Sequence, residues 1–508
     1  MYATFWALVP PLVAIVLALI TKEVYSSLFI GIVVGGAFYA TSFEGAMNHI
    51  FSEGLIAQLS DSYNMGILVF LVFLGTMVCM MNKAGGSRAF GQWAYTHIKT
   101  CVGAQLATIL LGCMIFIDDY FNCLTVGSVM RPVTDTHKIS RAKLAYLIDA
   151  TAAPVCIIAP ISSWAAAVSG FAPEGTNGMW LFIHAIPYNY YALLTIIMMV
   201  GMAILKVEFG PMAKHEANAK ENGDLFSGKV MMAEETGNAV EGSKGKVIDL
   251  ILPVLVLIVA CVIGMIYSGG FFSGTDFVDA FANSDASVGL VLGSFAAVVI
   301  MIIFYVVRKV LSFNKCMECI TEGFKAMVPA ITILALAWTL KGMTDSLGAK
   351  EYVAGLVQNS AGSMLNFLPA IVFLIACGLA FATGTSWGTF GILIPICLEV
   401  FKLDNPEQTT MAIICVSACM AGAVCGDHCS PISDTTIMSS AGAQCDHINH
   451  VSTQLPYAVT CAIVSFITYI VAGFTKSAVI SLAVGILLMI GMIYLLHYTM
   501  RDKTAEQG

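Results

Sequence analysis

Charged side chains are scarce in this sequence. Asp, Glu, Lys and Arg make up 11% of its 508 residues, whereas 58% are hydrophobic and the mean hydropathy is +0.84. A soluble protein could not bury so much apolar surface, so a lipid bilayer is the expected solvent. Short strands of alternating polarity are also missing, which excludes a membrane β-barrel. The first twenty residues contain no Lys or Arg and lack the basic start of a cleaved signal peptide, so we expect them to form the first spanning helix.

Motifs for a cofactor or a nucleotide are incomplete. The pair Cys316-Met-Glu-Cys319 has redox or zinc spacing, but no second pair and no histidine lie at a matching distance. The stretch "GDLFSGKV" from Gly223 lacks the Ser or Thr that follows the lysine of a phosphate-binding loop. We therefore predict no cofactor, no ATP-driven mechanism and no nucleic-acid partner. An enzyme is the least expected class of protein.

Apolar runs long enough to span a membrane recur along the chain, which predicts an all-α polytopic membrane protein. Two of these runs, 104–133 and 367–400, carry polar residues at their centres. Basic residues lie on both sides of the first run, so both of its ends are expected in the cytoplasm. Counting the spans onward places both ends of the second run outside. Each run is thus predicted to form a re-entrant hairpin, and the two hairpins enter from opposite sides.

The two hairpins belong to stretches that align with each other. "FIDDYFNCLTVGSVMRPV" from Phe116 aligns with "FATGTSWGTFGILIPICLEV" from Phe381, and "APISSW" from Ala159 aligns with "SPISDT" from Ser430. We predict two inverted repeats, each with a hairpin followed by a broken helix. The predicted division is first repeat 1–205 with broken helix 145–170, cytoplasmic linker 206–246, second repeat 247–474 with broken helix 410–440, and an extra transmembrane helix with a cytoplasmic tail, 475–508.

Polar residues at the hairpin tips and helix breaks are the candidate ligands. Backbone that leaves a helix inside a membrane must face protein or water, and its oxygen atoms suit a hard cation such as Na⁺. The candidate ion or substrate ligands are Asp118, Asp119, Asn122, Ser162, Ser163, Thr383, Thr385, Ser386, Asp427, Ser430, Ser433, Asp434 and Thr435. Within this set, Asp119 and Asp434 are the predicted Na⁺ ligands.

Intramembrane carboxylates are costly, and two close together favour a proton on one of them. Such a site binds a cation or a proton but disfavours both, which is the simplest basis for antiport. A helix-capping role stays open for each acid, since Asp and Ser cap helix N-termini well. Asp149 and His428 are further candidates for a proton-linked role, although His428 could equally be a hydrogen-bonded spacer.

Aromatic and histidine residues near the breaks have several interpretations. Tyr120, Trp164 and Trp387 could pack the protein or line a cavity for an organic substrate. We expect His447 and His450 to be solvated on the cytoplasmic side.

The polar motifs also support a family assignment. "GDHCSPISDTTIMSS" from Gly426, followed by "DHINHVSTQLPYA", resembles the signature of the NhaC family of Na⁺/H⁺ antiporters in the ion transporter superfamily, and "DDYFN" with "APISSW" is similar to its first-repeat pattern. The resemblance implies a secondary transporter of the cytoplasmic (inner) membrane, surrounded by lipid. It also implies a scaffold domain, an elevator-like transport domain and a homodimer. It places the site around Asp118, Asp119, Asn122, Ser162, Thr385, Asp427, Ser430, Ser433, Asp434 and Thr435.

Two transport activities remain open from the sequence. The first is exchange of Na⁺ for H⁺ by alternating access. The second is Na⁺-coupled transport of a small organic solute, such as an amino acid, an amine or a carboxylate, because the resemblance extends to malate/lactate exchangers. The acids argue against a dicarboxylate, since the nearest arginine, Arg131, is expected at the cytoplasmic end of its hairpin. An open channel is disfavoured by two hairpins that enter from opposite sides.

Overall fold

The computed structural model describes residues 2–21, 23–116, 119–160, 162, 164–165, 168, 178–227, 245–349, 351–352, 365–401 and 406–505. Within these ranges the chain forms helices and turns, and no β-strand occurs among them. The helices are α1 (Val9–Thr21), α2 (Val24–Tyr39), α3 (Phe43–Asn48), α4 (Ala57–Ser60), α5 (Ser62–Lys83), α6 (Gly86–His97), α7 (Cys101–Met114), α8 (Asp119–Thr136), α9 (Arg141–Thr151), α10 (Ala153–Cys156), α11 (Gly178–Ala185), α12 (Tyr190–Leu205), α13 (Gly210–Asn222), α14 (Ile248–Ser268), α15 (Phe277–Ala282), α16 (Ala286–Val307), α17 (Phe313–Ser346), α18 (Leu368–Thr383), α19 (Ser386–Val400), α20 (Pro406–Cys429), α21 (Asp434–Ala443), α22 (His447–Thr475) and α23 (Ala478–Ala505).

Long apolar helices dominate this architecture. Among the described residues, seven helices are long and apolar enough to cross a membrane, namely α5, α14, α16, α18, α20, α22 and α23. The number rises to nine if each of two bent helix pairs forms one span. This confirms the prediction of an all-α, multi-pass membrane protein. The division into repeats and the elevator-like movement stay predictions.

The run 104–133 folds into two short helices that contact each other, α7 and α8. Helix α7 has 14 residues, so it is about 21 Å long and cannot cross a hydrocarbon core of about 30 Å. The run 367–400 also forms two helices that contact each other, α18 and α19, and α18 together with the short 3-10 turn before it, Leu365–Thr383, is long enough to cross. Gly384, at φ 66°, lies in the turn between them. These helix pairs have the form of the predicted hairpins, and the side from which each enters stays a prediction.

Both predicted broken helices are interrupted. Helix α20 ends at Cys429 and α21 begins at Asp434, so the break covers 430–433, inside the predicted stretch. Pro431 has no backbone N–H, and the Ser433 side chain caps α21, which favours a new helix start there. In the first half, α9 ends at Thr151 because Pro154 cannot donate the hydrogen bond that a continuous helix needs.

Glycines allow a close approach between α8 and α21. A Cβ atom on Gly442 would lie 2.4 Å from the carbonyl oxygen of Cys123, and one on Gly127 would lie 2.4 Å from the carbonyl oxygen of Gly442. Helix α8 comes from the first half of the chain and α21 from the second. The absence of side chains at these two positions therefore brings the two halves together beside the break.

We predict that Gly442→Ala destabilises the protein. The added methyl group overlaps with Cys123, and overpacking of this kind typically costs about 1–3 kcal/mol. The measurement is the thermal unfolding midpoint of the purified protein in detergent. Gly378→Ala is the matched control, because this glycine lies within α18 and a Cβ atom added to it would meet no other atom within 4 Å. Equal midpoints for the two variants would show that α8 and α21 do not pack as described.

Candidate functional site

Asp434 connects both halves of the chain at the start of α21. Its Oδ2 atom accepts a hydrogen bond from the Tyr120 hydroxyl of α8 at 3.0 Å and another from the Trp338 indole N–H of α17 at 3.1 Å. Lys341, one turn further along α17, is close enough to interact electrostatically with the carboxylate. A carboxylate is also favoured at a helix N-terminus by the helix dipole. Asp434 therefore contacts α8 and α17 in addition to its own helix, α21.

Asp427 lies on the other side of the same break. The Ser386 hydroxyl donates to its Oδ2 atom at 2.8 Å. Its Oδ1 atom is buried and forms no hydrogen bond with the described residues, although the Ser433 hydroxyl lies beside the carboxylate. Asp427 and Asp434 are close enough to interact electrostatically. The structure thus places these two predicted acids close together, with Asp427 buried and Asp434 half-buried.

The turn of the second hairpin packs directly on this break. A Cβ atom on Gly384 would lie 2.5 Å from the carbonyl oxygen of Ile432. The Ser430 hydroxyl donates to the carbonyl oxygen of Phe381 at 2.8 Å, which ties the break to α18. The Ser433 and Thr435 hydroxyls lie 3.0 Å apart. The hydroxyls of Ser386 and Ser433 therefore lie beside Asp427, and the second hairpin packs against the break that separates the two acids.

Two other predicted ligands in the second half serve their own helices. The Thr383 hydroxyl donates to the carbonyl oxygen of Leu379 at 2.8 Å. The Thr385 side chain caps α19 by accepting a hydrogen bond from the Gly388 N–H at 3.4 Å. These contacts stabilise the end of α18 and the start of α19, and an ion-binding role for the two residues stays a prediction.

Asn122 holds the first hairpin together. Its side-chain amide donates to the carbonyl oxygens of Gly112 and Ile115, at 2.7 and 2.8 Å, and to that of Thr151 at 3.2 Å. Those carbonyls belong to the ends of α7 and α9. The contacts therefore show a bracing role for an amide that the sequence suggested as an ion ligand.

Four further residues of the first half were predicted as ligands, and the structure describes two of them, Asp119 and Ser162. Asp119 is the first residue of α8, is 2% exposed and precedes Tyr120. The Ser162 hydroxyl lies 2.9 Å from the carbonyl oxygen of Cys156 and closes the turn after α10. Asp118 and Ser163, also predicted as ligands, lie outside the described residues.

Three aromatic rings make a second contact between the halves. The ring centres of Trp164 and Trp387 lie 5.7 Å apart, and Phe390 lies 5.7 Å from the first and 5.9 Å from the second. The indole N–H groups of both tryptophans are buried and form no hydrogen bond with the described residues. The Tyr120 hydroxyl donates to Asp434. The packing interpretation therefore fits the tryptophans, and a polar role fits Tyr120.

A buried polar network extends from the break through α9 and α22. His450 Nε2 lies 3.2 Å from Asp149 Oδ2, and the Gln454 amide donates to the same oxygen at 2.7 Å. Gln454 also contacts the carbonyl oxygen of His428 at 2.5 Å, and the Tyr191 hydroxyl lies 2.8 Å from His428 Nδ1. The two sequence-based candidates for a proton-linked role therefore belong to one network.

The expectation that His447 and His450 are solvated is wrong. They are 7% and 0% exposed, and His447 Nε2 lies 2.7 Å from the carbonyl oxygen of Pro431 at the break. The sequence-based interpretation also missed Gln454, although residues four apart share one face of a helix and His450 precedes it by four. The polar residues His450 and Gln454 are thus buried against α9 and do not face water.

Comparisons with known proteins identify the family. A family model described as "Na+/H+ antiporter family" matches residues 155–474. An uncharacterized protein of Haemophilus influenzae is 38% identical over 514 residues, which cover 97% of this chain and 95% of that protein.

Two shorter matches carry named activities. The malate-2H(+)/Na(+)-lactate antiporter of Bacillus subtilis is 27% identical over 169 residues, 32% of this chain and 34% of that protein. An uncharacterized Na(+)/H(+) antiporter of Haemophilus influenzae is 31% identical over 159 residues, 31% of this chain and 32% of that protein. The family is one of transporters rather than enzymes. This chain belongs to the Na⁺/H⁺ antiporter family, as the NhaC resemblance of its polar motifs predicted.

Proposed function

We propose that this protein exchanges Na⁺ for H⁺ across the cytoplasmic membrane by alternating access, and that Asp427 and Asp434 form the centre where the two cations compete. Membership of the family supports Na⁺ and H⁺ as the transported ions. The observation that carries the proposal is the pairing of a buried acid, Asp427, with a half-buried acid, Asp434, across one helix break, with contacts to both halves of the chain.

Competition follows from the charge of the pair. Two carboxylates close together in a poorly hydrated site repel each other, and either a proton on one of them or a bound Na⁺ relieves the repulsion. The Oδ1 atom of Asp427 has no hydrogen bond to the described residues, so it is the more available ligand. The Ser386 and Ser433 hydroxyls and the break carbonyls supply further oxygen atoms of the kind that hard cations prefer.

This arrangement refines the sequence-based assignment of Na⁺ to Asp119 and Asp434. One oxygen of Asp434 already accepts hydrogen bonds from Tyr120 and Trp338. We therefore assign Asp427 as the principal ligand and Asp434 as the acid that links ion binding to α8 and α17. Asp119 stays a candidate ligand, because it immediately precedes Tyr120 on the same helix end.

Coupling to alternating access rests on the contacts of Asp434. A change in its charge alters the strength of its hydrogen bonds to Tyr120 and Trp338, since hydrogen bonds to an ionised acceptor are about twice as strong as neutral ones. Those two donors lie on helices from different halves of the chain. Exchange of Na⁺ for H⁺ would therefore change how firmly α8, α17 and α21 are held together.

A second candidate function is Na⁺-coupled transport of a small organic solute. The Bacillus subtilis relative is named a malate-2H(+)/Na(+)-lactate antiporter, which gives this alternative a specific basis. Lys341 is near enough to Asp434 to offer a positive group to a carboxylate solute. The presence of two acids at the same break favours cation exchange instead.

We predict that Asp427→Asn and Asp434→Asn each reduce Na⁺-driven proton movement at least about tenfold. Loss of one charged ligand or hydrogen-bonding partner costs roughly 1.5–3 kcal/mol, and 1.4 kcal/mol corresponds to a factor of ten. The measurement uses the purified protein in liposomes with an imposed Na⁺ gradient and an internal pH-sensitive dye.

Asp279→Asn is the matched control, because this acid is exposed at the protein surface. It should exchange at the wild-type rate, and gel filtration should show that all three variants remain folded. Wild-type exchange by both site variants would contradict the proposal. Adding malate, lactate or amino acids tests the second candidate, which predicts no proton movement until one of these solutes is present.

The Asp149 network is proposed to take part in proton transfer to this centre. Asp149 is close enough to Asp427 to interact with it electrostatically. Gln454 connects Asp149 with the backbone of His428, the residue after Asp427. Three atoms of the network, Asp149 Oδ1, His428 Nε2 and His450 Nδ1, are buried without a hydrogen bond to the described residues. Each of them can accept or donate a proton.

We predict that His450→Gln shifts the pH at which exchange is half-maximal by at least half a unit. The substitution removes the imidazole whose Nε2 atom lies 3.2 Å from Asp149 Oδ2, and so changes the contact through which the network would hold a proton. The Na⁺ KM, measured at the optimum pH of each protein, should stay within twofold of the wild-type value. His97→Gln, at an exposed position, is the control. An unchanged pH profile together with a raised KM would instead indicate that His450 only maintains the ion site.

A further inference from the structure

A polar cavity of about 340 Å³ lies between α6, the C-terminal half of α8, the start of α9 and the end of α21. It is separate from the break between α20 and α21. Its lining includes the guanidinium groups of Arg88, Arg131 and Arg141 and the carboxylate of Asp135. Three positive groups and one negative group leave two positive charges in excess. The cavity therefore favours a negatively charged occupant.

Arg141 already has its partners. Its Nη2 atom donates to Asp135 Oδ2 at 2.9 Å, and its Nη1 atom donates to the carbonyl oxygen of Ala443 at 2.7 Å. The carboxylate of the cavity is thus used to neutralise Arg141. The same contact fixes the start of α9 against the end of α21.

Arg131 has far fewer partners. Its side chain emerges from α8 and is 8% exposed, and its Nε atom donates to the carbonyl oxygen of Gly127 at 3.2 Å. An arginine carries five N–H donors, and the four on its terminal nitrogens form no hydrogen bond with the described residues. Arg141 is close enough to repel it, whereas Asp135 attracts it without bonding to it. A buried charge in this situation is costly unless an anion accompanies it.

Arg88 adds a third guanidinium from a different helix. It lies near the start of α6, lines the same cavity and forms no ion pair with the described residues. The cavity therefore presents Arg88 and Arg131 from α6 and α8, and both have donors available. Paired guanidinium groups match the oxygen atoms of a phosphate better than lysines do, because their planar donor sets bind two oxygens at once.

We propose that this cavity binds a phosphate group, and that the bound anion joins α6 to α8. The volume suffices for a phosphate with a small polar substituent. The three arginines lie near the two ends of the run 104–133. Both ends are expected in the cytoplasm because of their basic residues. Two sources carry this chemistry there, namely the headgroup of an anionic phospholipid and a soluble phosphate compound.

The experiment measures binding to the full-length protein in neutral detergent, with the thermal unfolding midpoint as the readout. One series adds inorganic phosphate at constant ionic strength, with chloride replaced step by step. A second series adds phosphatidylglycerol, with phosphatidylcholine as the neutral comparison. A ligand that binds the folded protein raises the midpoint with concentration, which gives its Kd. We expect phosphate or phosphatidylglycerol to raise the midpoint, and Arg131→Gln to weaken that Kd at least about tenfold.

Arg88→Gln provides a second variant in case Arg131→Gln does not fold, and it should weaken the same Kd. Lys315→Gln is the matched control, since it removes an exposed positive charge outside the cavity. An effect of phosphate alone assigns the site to a soluble compound, and an effect of phosphatidylglycerol alone assigns it to a lipid. The proposal is overturned if neither probe raises the midpoint, or if both arginine variants respond like the wild type and like Lys315→Gln.

Discussion

Backbone that leaves a helix among membrane-spanning segments must find partners for its polar groups, and the break between α20 and α21 meets this requirement with side chains of the break itself and of α22. The Ser433 side chain caps the new helix, and His447 lies within hydrogen-bonding distance of the Pro431 carbonyl. Ser430 ties the segment to the second hairpin. These contacts hold the backbone of the break in place. Asp427 and Asp434 therefore keep their positions on either side of it, although no continuous helix connects them.

The position of these two acids explains several other features of the fold. The Gly384 turn must approach the break closely, and a residue with a side chain would overlap with Ile432. Helix α8 must approach α21 closely, and Gly127 and Gly442 make this possible. Only then does the Tyr120 hydroxyl reach Asp434. The glycines therefore allow the close packing around the proposed ion site, although they offer it no ligand from a side chain.

Features with a local cause were predictable from the sequence, and features that depend on packing were not. The break at 430–433 could be predicted because Pro431 and Ser433 act on their own helix. The burial of His450 and Gln454 could not, because it arises from contact with α9, some 300 residues earlier in the chain. Trp338 lies in an apolar run and has nothing in its neighbourhood to mark it as a partner of Asp434.

The role of the Asn122 side chain was also not predictable from the sequence alone. Its position at a hairpin tip suggested an ion ligand, and only the fold reveals that its amide faces three backbone carbonyls. A side chain with both a donor and an acceptor can serve either purpose, and the sequence does not state which end faces the site. Carboxylates are less ambiguous, since an ionised acid only accepts hydrogen bonds.

The two contacts between hairpins and breaks differ in chemistry, and this difference bears on the number of ion sites. Tyr120 of the first hairpin contacts Asp434 at the second break through a hydrogen bond. Trp387 of the second hairpin contacts Trp164 beside the first break through their rings. If the halves are inverted repeats, the two contacts occupy related positions, but only one of them contains an ionisable group. Of these two contacts, only the one at the second break thus involves a carboxylate, and the aromatic contact can hold the halves together without a change of charge.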